Sequence, residues 1–185
     1  VVGNPPYIRN ERLKDKGPWR ENYAAVDFRN SDVSYFFVAR AMEGKKDAMP
    51  PWLEDGGRMC LVLPMGLCEA ETAAPLRGSL MQYKILEITD LEQVAIHVFP
   101  SPQASGRATV APVLLFVEKS PSNKNDVELV QVSEDAALLG EFQPRYLERT
   151  RLPQTMFTQS PTNPHKMFLT KLKAEDLPVL EALMT

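Results

Sequence analysis

The chain has 185 residues, 44% of them hydrophobic, with a net charge of −3, which suits one globular domain with a sizeable core or one domain plus an appendage. No apolar run of about 18 residues occurs, so no helix is expected to span a membrane, and no secretory signal opens the sequence. Mild acidity argues against a freestanding DNA-binding module with a basic footprint. Cys60 and Cys68, with the scattered His97 and His165, give no metal-ligand pattern, and a reduced core thiol at Cys60 points to a cytoplasmic setting.

The sequence begins without Met on a short β-branched run, Val1-Val2-Gly3, followed at once by Asn4-Pro5-Pro6-Tyr7. This describes a strand ending in a rigid loop, and the opening inside a strand reads as a piece of a longer polypeptide. Pro5 restricts Asn4 to extended backbone, and each proline fixes its own φ near −65°. Neither proline carries an N–H, so the loop is rich in acceptors: the Asn4 side-chain oxygen and the carbonyls of Asn4 and Pro5. Tyr7 adds a flat face. Converging acceptors beside a ring suit a planar molecule with an exocyclic amine. With proline near 5% of residues, a chance match to these four is roughly one in a thousand for a chain of this length. Met49-Pro50-Pro51-Trp52 has prolines and an aromatic but no amide, and reads as a plain linker.

Residues 8–29 read as a long charged loop carrying Arg9, Arg12, Lys14, Lys16 and Arg20, either a solvated surface or a segment that covers substrate or touches a DNA backbone. Asn30 or Ser31 is expected to cap a helix with Val33, Phe36, Phe37, Arg40 and Ala41 on one face, ending by Gly44. Gly56-Gly57 turns into the apolar run Arg58 to Pro64, which suits a strand buried on both faces of a parallel sheet. A helix follows with Pro75 in its first turn and Leu76, Leu80 and Met81 inward. Further strands are predicted at Ile85–Asp90, Val113–Glu118 and, last, Val127–Val132. Val94–Ser105 reads as a loop carrying Phe99, Tyr146–Pro164 as irregular, and Phe168–Leu183 as one or two amphipathic helices. Strands alternating with helices give an α/β fold.

In this order the sequence resembles the adenine-specific DNA methyltransferases of type II restriction–modification systems. The resemblance covers about residues 1–155. It rests on Val1 to Arg9, Tyr35 to Ala41, Gly56-Gly57-Arg58 leading to Leu63-Pro64, Leu76-Arg77, Ile85 to Ile88, Val98-Phe99-Pro100 and Ala111 to Lys119. It implies the C-terminal half of a Rossmann-like sheet dependent on S-adenosylmethionine, with a mixed strand pair at one edge. Residues 1–133 would be the C-terminal part of a catalytic domain and 134–185 a linker approaching a target-recognition region.

The resemblance also implies roles. The target adenine is flipped out of double-stranded DNA, because its reacting atom cannot be reached inside the stack. Asn4 and the Pro5 carbonyl, in a loop stiffened by Pro6, would accept hydrogen bonds from its N6 amine; Tyr7 would stack on the ring and Phe99 contact its other face. No metal is implied. The family's glycine-rich cofactor loop and ribose-binding acid lie upstream of the motif, and no such run occurs here. This chain alone is therefore expected neither to bind the cofactor usefully nor to be active, with the cofactor-binding segment lying N-terminal to it. Two other readings stay open: methyl transfer to a protein glutamine amide or an RNA base amine, and a non-catalytic remnant. The unprotected Arg58–Leu63 strand is expected to pair at its edge with another copy of the chain or with the chain's own N- or C-terminal segment.

Overall fold

The computed structural model describes residues 1–9, 12, 23, 26, 31–44, 49–98, 110–122, 124–138, 143–158 and 163–184. Among them six strands form one mixed sheet: β1 (Val2–Gly3), β2 (Arg58–Pro64), β3 (Tyr83–Asp90), β4 (Pro112–Pro121), β5 (Asp126–Val132) and β6 (Leu147–Pro153). Their spatial order is β1-β2-β4-β3-β5-β6. β1 runs parallel to β2 and β3 parallel to β5, whereas β4 is antiparallel to both of its neighbours. At the far edge β5 and β6 make an antiparallel pair, so β5, parallel to β3 on its other side, is the strand of mixed pairing there.

The helices are α1 (Ser34–Met42), α2 (Gly66–Glu69), α3 (Ala74–Leu80), α4 (Ala95–Val98), α5 (Glu134–Leu138) and α6 (Leu177–Met184). α1 links β1 to β2, and α3 links β2 to β3. Both connections step in the same direction across the sheet. Right-handed crossovers therefore place both helices on one face. That face buries Met59, Leu61, Leu63, Ile85, Ile88, Leu115, Val117 and Leu129 against Phe36, Val38, Leu76 and Leu80. Phe157 and Phe168, rings 5.1 Å apart, complete this core from the C-terminal third. The opposite face is unevenly covered. Cys60 and Val62 stand beside Phe116 and Leu114 in register, and all four are half-buried.

Several expectations are corrected. The Arg58–Pro64 strand has a parallel neighbour on one side only, because its other neighbour is β4. Val127–Val132 is not the last strand: Leu147–Pro153 was expected to be irregular, yet it pairs with all of β5. Its charges point outward, with only Thr150 and Leu152 buried. The N–H of Ser34 at the start of α1 is met by Asp32 Oδ1 at 2.9 Å; of the two expected caps, Asn30 lies outside the described residues and Ser31 donates its hydroxyl to the Val26 carbonyl. Phe168–Leu172 is not helical, since Phe168 is taken into the sheet core and helical structure resumes only at Ala174. Pro75 does sit in the first turn of α3, and Gly44 ends α1 with φ 73°, a left-handed conformation that glycine adopts without strain.

The edge of β2 is covered, over its first residues, by the chain's own N-terminal segment. The terminal amine donates to the Arg58 carbonyl at 2.7 Å and the Cys60 N–H to the Val1 carbonyl at 2.8 Å. β1 is thus the outer strand, and Val2 is 85% exposed. Among the described residues no helix is long and apolar enough to cross a membrane.

Candidate functional site

Antiparallel pairing brings the carboxyl ends of β1, β2, β3 and β5 and the amino end of β4 to one edge. Ligands of α/β folds bind outside the carboxyl ends of strands, and a cleft of about 950 Å³ opens there. Its floor is the loop Asn4 to Tyr7, leaving the end of β1. One wall is Asp32 and Tyr35 at the start of α1. The other is made by Pro64, Gly66, Ala70 and Thr72 after β2, with Val110 and Pro112 ahead of β4. Arg9 and Arg12, both exposed, complete the lining. Pro64 and Pro112 face each other at the last register position of the ladder, and one more backbone bond, from the Met65 N–H to the Ala111 carbonyl at 2.7 Å, precedes the cleft.

The motif presents its polar groups unspent. Asn4 is exposed, Pro5 is buried and Pro6 is exposed. Among the described residues the Asn4 amide has no hydrogen-bond partner, and no donor reaches the carbonyl of Asn4 or Pro5. Tyr7 is half-buried, and its hydroxyl is enclosed without a partner. Burial, with Asp32 nearby, pushes its pKa up to about 12, so it stays a neutral donor.

Asp32 fastens this loop to α1. Its Oδ1 accepts from the Ser34 N–H at 2.9 Å and the Ser34 hydroxyl at 2.6 Å, and its carboxylate is also bonded by the Ile8 N–H. The Val33 N–H returns a bond to the Ile8 carbonyl at 2.8 Å, and Arg9 pairs with Asp32 in an antiparallel bridge. Burial raises the Asp32 pKa, opposed by these hydrogen bonds. Burial likewise raises that of Tyr35, whose hydroxyl is close enough to Gly66 that a Cβ there would lie 3.3 Å from it.

The second wall is held by Arg77 of α3. Its guanidinium, 0% exposed, donates to the carbonyls of Leu67 (2.7 Å), Ala70 (2.8 Å), His165 (2.7 Å) and Lys166 (2.8 Å). It fixes the turn that carries Ala70 and Thr72 and ties the C-terminal segment to it. Desolvation pulls its pKa below the usual arginine range.

The structure therefore brings Asn4, Pro5, Pro6 and Tyr7 together in one cleft, at the end of a short strand as expected, although that strand is the outermost and not a central one. Phe99 lies outside the described residues. Reasoning from sequence missed Asp32, Tyr35 and Arg77. The Asp32-x-Ser34 spacing at a helix start was the available signal for the first; an arginine within a helix gave none for the last. Among the described residues no group of three or more His, Cys, Asp or Glu side chains could hold a metal ion. The methyl donor's ribose would need a carboxylate with free lone pairs. In the described lining the carboxylate is Asp32, already engaged by Ser34 and Ile8. The described lining does not by itself fit the ribose of such a donor. A smaller cavity of about 270 Å³ between the ends of β3 and β5 is lined by Asp90, Glu92, Gln131 and Lys171 and spanned by the Lys171–Glu92 ion pair.

Comparison with known proteins places this geometry. No curated protein sequence matches the chain. Among solved structures, a modification subunit of a putative type I restriction enzyme from Vibrio vulnificus YJ016 is 15% identical with a TM-score of 0.56, over 97% of this chain and 39% of that one. The type IIG restriction endonuclease BpuSI is 15% identical with a TM-score of 0.55, over 83% of this chain and 19% of that one. A nuclease-deletion mutant of the type ISP restriction–modification enzyme LlaGI, in complex with a DNA substrate mimic, is 14% identical with a TM-score of 0.56, over 96% and 16%. These likenesses are of fold, and the chain spans well under half the length of each of these proteins. The model of the family described as Eco57I restriction-modification methylase matches residues 1–97, from the β1 motif into α4. The chain belongs to the Eco57I restriction-modification methylase family.

Proposed function

We propose that this chain is the methyl-acceptor half of a DNA adenine-N6 methyltransferase of a restriction–modification system, acting with S-adenosylmethionine held by residues outside those described. The observation that carries the reading is the unspent acceptor set at the cleft floor: the Asn4 amide oxygen and the carbonyls of Asn4 and Pro5, beside the Tyr7 ring. An exocyclic amine placed there donates to these oxygens. Its lone pair turns out of conjugation with the ring, which leaves it available to attack. Acceptors fixed where positive charge develops on nitrogen are electrostatic preorganisation, effective because no reorganisation is needed during reaction. Tyr7 supports the base plane; stacking of this kind is worth about 1–3 kcal/mol per base. The reaction needs no metal. Its DNA substrate implies the cytoplasm, and base flipping gives the adenine access to the cleft.

The test is the nucleoside composition of DNA from cells expressing the intact gene. N6-methyladenine in the wild type and its loss with Asn4→Ala supports the reading. Methylated glutamine in cellular protein, with unmodified DNA, would transfer the assignment to a protein amide.

A further inference from the structure

We infer that Arg9 and Arg12 form a phosphodiester-binding subsite at the mouth of the cleft, holding the backbone phosphate next to the nucleotide whose base enters it. The inference rests on the adenine reading of the cleft floor, but its observations are separate. Both arginines line the same cleft as Asn4 and Tyr7. The Arg12 N–H donates to the Arg9 carbonyl at 2.9 Å, closing a single tight turn. That bond holds the two residues next to each other in the cleft lining.

Neither arginine is partnered by a carboxylate among the described residues, and both are exposed. Elsewhere on this surface cations are paired: Arg58 with Glu118, Arg149 with Glu128, Lys171 with Glu92 and Lys173 with Glu148. The carboxylate in the described cleft lining, Asp32, is spent on Ser34 and Ile8. Two arginines against one aspartate leave the described lining net positive, in a chain whose net charge is −3. Paired planar guanidinium groups suit a phosphate, which they grip bidentately. The placement also fits a flipped nucleotide. Its base must reach Asn4 and Tyr7 while its phosphate stays on the duplex side of the mouth, where contacts fix register without reading sequence.

The experiment is an anisotropy titration of this chain against a fluorescein-labelled 30-base-pair duplex carrying one unpaired, bulged adenine, from 50 to 200 mM salt. Wild type should bind, with log K falling linearly against log salt. Arg9→Ala/Arg12→Ala should flatten that slope by about 0.9, the value for one phosphate contact. Arg9→Lys/Arg12→Lys should keep most of the slope, because the charge remains. A thermal melt of each variant checks that it is folded. Unchanged slope in the double alanine variant, or no binding by wild type at 50 mM salt, overturns the subsite. Tyr7→Ala separates this from the adenine reading: it should keep the salt slope and lose the preference for the bulged over the fully paired duplex. If the arginine variant flattens the slope and Tyr7→Ala leaves that preference intact, the phosphate subsite stands and the adenine reading falls.

Discussion

The Arg77 Nη2 donates to the carbonyl of His165 at 2.7 Å, joining residues 88 positions apart. The same guanidinium holds Leu67, Ala70 and Lys166, so one buried cation organises both the cleft wall and the C-terminal segment. Arg77→Ala strips partners from four carbonyls at once. A buried polar group left unsatisfied costs about 1–3 kcal/mol, so a loss of about 3 kcal/mol or more is expected in urea denaturation. Arg77→Lys should recover only part of it, since an ammonium cannot span all four positions.

Asn4→Ala, in the polypeptide that carries this chain, should slow single-turnover methyl transfer by about 10²-fold or more, the scale for removing one preorganised group. Duplex binding should change far less, because phosphate contacts supply most of the affinity. A rate within twofold of wild type would make Asn4 a turn residue and nothing more.

The Tyr7 hydroxyl and Asp32 give opposite predictions on stability and pH. Tyr7→Phe removes an enclosed, unpartnered hydroxyl and should stabilise the empty chain by up to about 1 kcal/mol. Burial raises the Asp32 carboxyl in the fold above its unfolded value. Its favourable contribution is therefore complete below the unfolded pKa and is lost as pH rises through the folded one. Asp32→Asn keeps an acceptor for Ser34 without the charge. Its stability relative to wild type should rise with pH across the weakly acid range, as read from denaturation midpoints.

The two thiols should separate cleanly. Cys68 is fully buried, and desolvation drives its pKa far up; Cys60 is half-buried and raised by burial and by Glu87. A thiolate reagent at pH 8 should modify Cys60 more slowly than free cysteine, faster as pH rises, and leave Cys68 untouched until denaturant is added. Two fast thiols in the native chain would contradict this packing.

What could be read from sequence divides along physical lines. β2 and β4 announce themselves as apolar runs, and β5 by Val127, Leu129, Val130 and Val132 set among polar residues, because one face of each is buried in the core. β6 hides because it is an edge strand: Glu148, Arg149 and Arg151 face water, and Arg149 reaches Glu128 on the neighbouring strand. The same holds for Gln154, wholly buried just after β6. It accepts from the Ile85 N–H at 2.8 Å and donates to the Tyr83 carbonyl at 2.8 Å, filling the irregularity in β3 between Ile85 and Glu87. A glutamine there looks like surface until the bulge it repairs is known. The motif loop was legible because two prolines fix its shape locally. Asp32 and Arg77 act on partners that the fold brings together, which local pattern does not encode.

The lopsided sheet has a geometric consequence. α1 and α3 lie on one face because each crossover steps away from β1 in the same direction. Two parallel strands that followed one another outward beyond β1 would step in the opposite direction, and the same handedness would lay the helix between them on the other face. The exposed edge at Val2 and the half-bare patch of Cys60, Val62, Leu114 and Phe116 lie where such strands and their helix would pack. A sheet extended in that way past Val2 would cover the patch and stiffen from behind the short strand that ends at the amide.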